Sequence, residues 1–169
     1  MIDEKLEKAF NTQINKELFS AYLYLAMQSY FTEQNMNGFA HWLSIQVQEE
    51  IAHAMGMYNY VHERGGKVEL LPVDKPIGSW LSPLDAFEAV LNHENHITNS
   101  INALADVADE VKDRAALSFL QWYIKEQVEE EASVADVLGD LRLAQNDPRA
   151  LLLLDRELAT RTFTAPVIG

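Results

Sequence analysis

The sequence predicts an all-α protein: a four-helix bundle with one long crossover and a short fifth helix at the C-terminus. Three observations carry this expectation. Glycine and proline are scarce, 7 and 5 among 169 residues, and they cluster, so long stretches contain nothing that breaks a helix. Within those stretches apolar residues recur at helical spacing. The connections between them run short, long, short, the pattern of two antiparallel hairpins joined by a crossover.

The first helix is expected from about Asp3 to Thr32, a span without glycine or proline. Gln34 to Gly38 reads as a turn. The second helix runs from about Phe39 to Arg64 and stops at Gly65-Gly66, a common way for a helix to end. Lys67 to Leu81 holds Pro72, Pro76 and Gly78 and reads as the long connection. Ser82 is placed to cap the third helix, with Pro83 in its first position and Asp85 closing a capping box. No glycine or proline lies between Pro83 and Gly139, too long a span for one ordinary helix. The polar run Asp106 to Asp113 divides it, with the break near Asp109 to Lys112. Asp147 and Pro148 open the fifth helix, and Thr162 to Gly169 reads as an extended tail. One domain over residues 1–169 follows, with the bundle at about 3–141 and the fifth helix at about 148–160. Helices of roughly 25 to 30 residues would each be about 40 Å long.

Composition narrows the function. The net charge of -13 at pH 7 argues against nucleic acid and anionic membranes as partners, because both select basic surfaces. The chain has no cysteine, which excludes disulfides, thiolate zinc sites and iron–sulfur clusters. Met1-Ile2-Asp3-Glu4 lacks the features of a signal peptide. No apolar run, Ala150 to Leu154 included, is long enough to span a bilayer. A soluble, cytoplasmic protein is expected.

The informative residues are polar ones where a bundle should be apolar. Near the middle of the helices stand Glu17, then Glu50 with His53, then Glu94, then Gln127 with Glu130. If the first turn centres near residues 35 to 36, Glu17 lies level with about position 54, beside His53. If the second centres near 110 to 111, Glu94 lies level with Gln127. Glu50 and His53, and likewise Gln127 and Glu130, are three apart and share a helix face. Phe10, Ile14, Ala21 and Tyr24 share a face with Glu17, which turns Glu17 inward. Four ionised glutamates in one core would be strongly destabilising if left unpaired. No lysine or arginine shares those helix faces. Two divalent cations would balance Glu17, Glu50, Glu94 and Glu130, and oxygen-rich ligation with one imidazole favours iron or manganese over structural zinc.

Over nearly its full length the chain resembles the non-haem bacterial ferritins. The stretches that carry the resemblance are Gln13 to Tyr24, Gln48-Glu49-Glu50-Ile51-Ala52-His53, His93-Glu94-Asn95 and Phe119 to Glu131. The resemblance implies a ferritin-like fold and a ferroxidase centre. Glu17, Glu50 and His53 would bind one iron, and Glu50 would bridge to a second held by Glu94 and Glu130. Gln127 would line the centre, and Tyr24 would stand behind its ligands. A third iron position would lie beside the pair, at Glu49, Glu126, Glu129 and Glu130. In the haem-containing bacterioferritins the residue after the glutamate of Glu-x-x-His is a haem-ligating methionine. Here it is Ile51, so no haem is expected. They and the rubrerythrins also carry Glu-x-x-His in the fourth helix, which here reads Gln127-Val128-Glu129-Glu130.

The resemblance implies an iron-storage protein that oxidises ferrous iron with dioxygen and keeps ferric mineral inside a hollow shell of 24 identical chains. The alternative is a di-iron or dimanganese oxidase or peroxidase that stores no mineral. His93 and His96 flank Glu94 without being needed as ligands. His41 and His62, near helix ends, are expected to be exposed.

Overall fold

The computed structural model describes residues 1–168. Its helices, in chain order, are α1 (Glu4–Glu33), α2 (Asn37–Glu63), α3 (Pro83–Glu110), α4 (Arg114–Ala144) and α5 (Pro148–Leu158). No strand occurs among the described residues, and no helix is long and apolar enough to cross a membrane. Arg161 to Ile168 form no regular element; Gly169, the end of the expected extended tail, lies outside the described residues.

Most helix ends follow local chemistry. Asp3 accepts from the Lys5 amide at 2.8 Å and caps α1, and Asp147 accepts from Arg149 and Ala150 at 2.9 Å and caps α5. Ser82 accepts from the Asp85 amide at 3.1 Å. Asp85 reaches back to the Leu81 amide at 2.8 Å, one residue before the partner a capping box would use. The break between α3 and α4 falls at 111–113, where Lys112 is left-handed with φ 57°. Asp113 caps α4 through the Ala116 amide and also pairs with Arg64 at 2.7 Å, which ties this turn to the end of α2. Gly65, with φ 70°, ends α2.

The start of α2 departs from expectation. The helix begins at Asn37, so Gly38 lies inside its first turn rather than in the preceding loop. The N-cap residue Met36 offers no capping side chain. The cap comes from α5, where the Asp155 carboxylate accepts from the amides of Gly38 at 2.8 Å and Phe39 at 3.1 Å. A Cβ at position 38 would fall 1.5 Å from the Asp155 carbonyl oxygen, so the close approach of α5 requires glycine there.

In the bundle α1 pairs with α2 and α3 with α4; α1 also lies against α3, and α5 packs on α2 and α4. The α2–α4 seam is wider, with no Cα of α2 within 8 Å of a Cα of α4. The long crossover is pinned to α1 by two asparagines. Asn11 donates to the Lys67 carbonyl and accepts from the Glu69 amide, and Asn15 donates to the carbonyls of Leu71 and Pro72.

The apolar core is divided. One cluster gathers Met27, Phe31, Phe39, Leu43, Phe87 and Leu138, with Phe31 and Phe39 stacked 5.1 Å apart. The other gathers Leu6, Phe10, Met57, Ile101 and Leu120. Burying each such side chain stabilises the fold by about 1.5–3 kcal/mol. Between the clusters every long helix presents polar residues: Glu17 and Ser20 in α1, Gln46, Glu50 and His53 in α2, Glu94 in α3, and Gln127 and Glu130 in α4.

Candidate metal centre

Within this polar belt the sequence-derived set comprises four carboxylates, one imidazole and one amide, at Glu17, Glu50, Glu94, Glu130, His53 and Gln127, none more than 5% exposed. Glu17, Glu50 and His53 bring one ligand atom each within 4.8 Å of one another. His53, Glu126 and Glu130 do the same on the α2–α4 side. The Tyr24 hydroxyl donates to Glu94. Gln127 donates to the other Glu94 oxygen at 3.1 Å, to the Glu94 carbonyl at 3.3 Å and to Thr98 at 3.2 Å. The His53 backbone is held by Tyr123, whose hydroxyl donates to its carbonyl at 2.9 Å.

Two residues outside the sequence-derived set complete the belt. Gln46 donates to Glu130 at 2.8 Å, and Gln13 donates to Glu17 at 2.7 Å. Ser100 in turn donates to Gln13 at 2.8 Å. The signal was present: each glutamine stands four residues before a buried glutamate of its own helix and therefore on the same face.

These amide partners satisfy only part of the belt. Among the described residues, three atoms of the belt are buried without a hydrogen-bond partner: Gln46 Oε1, Glu50 Oε2 and His53 Nε2. Buried polar atoms are nearly always paired, and these orphans face a carboxylate cluster that could hold a cation. Burial pushes Glu50 well above the usual carboxylate range, and the charges of Glu94, Glu17 and Glu130 push it the same way. Glu130 is raised well above that range mainly by burial, with Glu94 adding to it. Burial also raises Glu17, and takes Glu94 up to about 7 against the pull of Tyr24 and Gln127. His53 is pushed down to about 4 by burial, so its imidazole is neutral and its lone pair free for a metal near neutral pH. A cation held by such a set would displace protons from it.

The remaining sequence-derived residues fall in different settings. Glu126 is half-buried and gathers with His53 and Glu130, whereas Glu129 is exposed. Glu49 is paired with Arg161 at 2.7 Å, a cation that arrives from beyond α5 and not from any bundle helix. His93 bonds to Ser20 at 2.8 Å and sits edge-on to Tyr24, outside the ligand cluster. His62 is exposed as expected, but His41 is half-buried because it donates to the Arg161 carbonyl at 2.7 Å.

A bundle whose four helices converge carboxylates and an imidazole on a buried mid-point belongs to the class of metal-binding helical bundles. The Ferritin-like domain family matches residues 7–144. The chain is 39% identical over 161 residues to the bacterial non-heme ferritin of Bacteroides fragilis, covering 95% of this chain and 100% of that one. It is 37% identical over 163 residues to the bacterial non-heme ferritin of Staphylococcus aureus, covering 96% and 98%. Its structure matches an engineered closed form of the Archaeoglobus fulgidus ferritin with a TM-score of 0.96 at 51% identity, over 97% of this chain and 100% of that one. It matches the open-pore ferritin of the same hyperthermophilic archaeon with a TM-score of 0.95 at 51% identity, over 96% and 100%. The chain belongs to the ferritin family, on the side of the bacterial non-haem ferritins. Iron storage is the function this membership carries.

Proposed function

We propose that the chain is a ferroxidase as well as an iron store. Two ferrous ions enter the polar belt as substrate. Glu17, Glu50 and His53 hold one; Glu50 bridges to the other, which Glu94 and Glu130 hold. Gln127 lines the second position without adding charge, and Tyr24 orients Glu94. Each ferrous ion gives up one electron. Dioxygen takes both electrons with two protons and leaves as hydrogen peroxide, and the ferric ions move on to mineral. Anionic oxygen ligands favour this direction because they stabilise the higher metal charge. Glu49, Glu126 and Glu129, with Glu130, form a third position on the way out. Haem plays no part, since Ile51 offers no ligand.

The observation that carries this reading is the pair of orphaned buried atoms, Glu50 Oε2 and His53 Nε2, inside a belt of four buried acids. Glu50→Ala should abolish fast ferrous oxidation in stopped-flow absorbance while the protein stays folded. Oxidation at the unaltered rate would refute the assignment.

The store itself is a hollow shell of 24 copies. Tyr22 and Leu25 of α1, Ile51 and Met55 of α2, and Leu152 and Leu153 of α5 are all more than 40% exposed, apolar area that contacts between copies would bury. A large particle in size-exclusion chromatography, loading far more iron than the belt can ligate, is the expected result.

A further inference from the structure

The tail beyond α5 does not hang free. Arg161 returns to α2 and is fixed there by four contacts. Its carbonyl accepts from His41 at 2.7 Å. Its guanidinium donates to Glu49 at 2.7 Å and to the Trp42 carbonyl at 3.4 Å, and it lies 4.4 Å from the centre of the Trp42 ring. The side chains of Arg161 and Glu49 are only 22% and 18% exposed. Further along, Ile168 lies against Gly56 and Tyr123: a Cβ at position 56 would come 2.8 Å from Ile168 Cδ1 and 2.5 Å from the Tyr123 hydroxyl. The tail therefore follows α2 from the level of Glu49 to that of Gly56, past His53.

An arginine held in this way is more than a surface ion pair. It is stacked, partly desolvated and anchored through its own backbone, so little further entropy is lost in holding the pair. Its positive charge also reaches Glu130. Meanwhile His53, Glu126 and Glu130 are already gathered within ligand distance of one another. Of the acids proposed for the third position, Glu49 is the one paired with a cation among the described residues.

We infer that Arg161 is a built-in stand-in cation for the third metal position: an ion takes Glu49 as a ligand only by displacing the guanidinium. This rests on the di-iron reading above and adds a specificity-determining residue to it. An ion at the third position must shed water and also break a stacked, partly buried pair. The position is therefore kept weaker than the pair behind it, so an ion that reaches it moves on rather than lodging there.

The test is calorimetric titration of the assembled protein with cobalt(II) alone, without oxygen. The unaltered chain should take two tight ions and a weaker third. Arg161→Gln should leave the first two unchanged and tighten the third about tenfold, the size of coupling typical of two ligands linked at one protein. Arg161→Lys, which keeps the charge, should hold the third ion weak. Glu49→Gln should weaken it further, and adding Arg161→Gln in that background should then gain nothing. Truncation after Arg161 should behave like the unaltered chain, because the guanidinium stays in place. An unchanged third affinity in Arg161→Gln would overturn the inference alone, as would a truncation that tightens the third ion as much as Arg161→Gln does. Failure of the unaltered chain to bind the first two ions would overturn the di-iron reading and the inference with it.

Discussion

Gln127 donates to the Glu94 carboxylate at 3.1 Å across the α3–α4 seam, with the Glu94 carbonyl also in reach at 3.3 Å. The amide supplies a donor where a further acid would supply only charge. Gln127→Glu converts this contact into repulsion between buried acids. In metal-free protein it should lower stability by about 1–3 kcal/mol, the usual cost of an unsatisfied buried group. Urea denaturation with chelator present measures this. An unchanged midpoint would mean that the contact with Glu94 carries no weight.

The Tyr24 hydroxyl serves the same carboxylate from α1. Tyr24→Phe keeps the ring and its packing and removes one donor to a fully buried acid. The expected loss is about 1–3 kcal/mol, with two cobalt ions still bound per chain. Loss of ion binding in this variant would show that Tyr24 does more than orient Glu94.

The buried acids set the direction of pH dependence. Burial pushes Glu94 up to about 7 from its ordinary 4.5, and raises Glu17, Glu50 and Glu130 as well. The folded state holds protons that the unfolded chain has released. The stability Glu94 contributes is complete below 4.5 and is lost as pH rises through about 7, and Glu17, Glu50 and Glu130 act in the same direction. His53, held down to about 4 by burial against 6.5, acts in the opposite sense and costs stability as pH falls below 6.5. Four acids outweigh one imidazole, so metal-free protein should melt lower at about pH 8 than at about pH 6. Glu94→Gln should flatten that slope, and two bound divalent ions should abolish it by stabilising the ionised acids. Differential scanning calorimetry in the two buffers decides the matter; equal melting temperatures in metal-free protein would contradict the proton balance.

Gly38 and Asp155 give a test of how α5 is attached. Asp155→Ala removes the cap from α2 and should cost about 1 kcal/mol. Gly38→Ala should cost more, about 1–3 kcal/mol, because overpacking forces the α5 backbone away. Thermal melts rank the two variants, and a Gly38→Ala protein as stable as the parent would show that α5 yields without strain.

The helices were legible because proline falls only in connections, in the tail or at the first position of a helix, and because Asp3, Ser82 and Asp147 cap through neighbours in sequence. The level of Glu17, Glu50, His53, Glu94 and Gln127 was legible because a short turn fixes which residues of a hairpin lie opposite one another. Relationships across long sequence separations were not. Asp155 caps a helix 117 residues earlier, and Arg161 pairs with Glu49 112 residues earlier. No local pattern encodes either contact, since each depends on how α5 settles against the finished bundle. Gln13 and Gln46 lie between these cases: their spacing from Glu17 and Glu50 is visible, but glutamine on a helix face reads as surface until the belt it serves is in view.

The division of the core into two apolar clusters has a consequence for traffic. The layer around Phe31, Phe39 and Phe87 corks one end of the bundle, and the layer around Leu6, Phe10 and Leu120 corks the other. A hydrated ion cannot travel along the bundle axis without leaving water for hydrocarbon, which its charge forbids. An ion bound in the belt would therefore have to pass transversely, through the wall between neighbouring helices. For the ions proposed to visit the belt, the helix seams rather than the bundle axis are the open route.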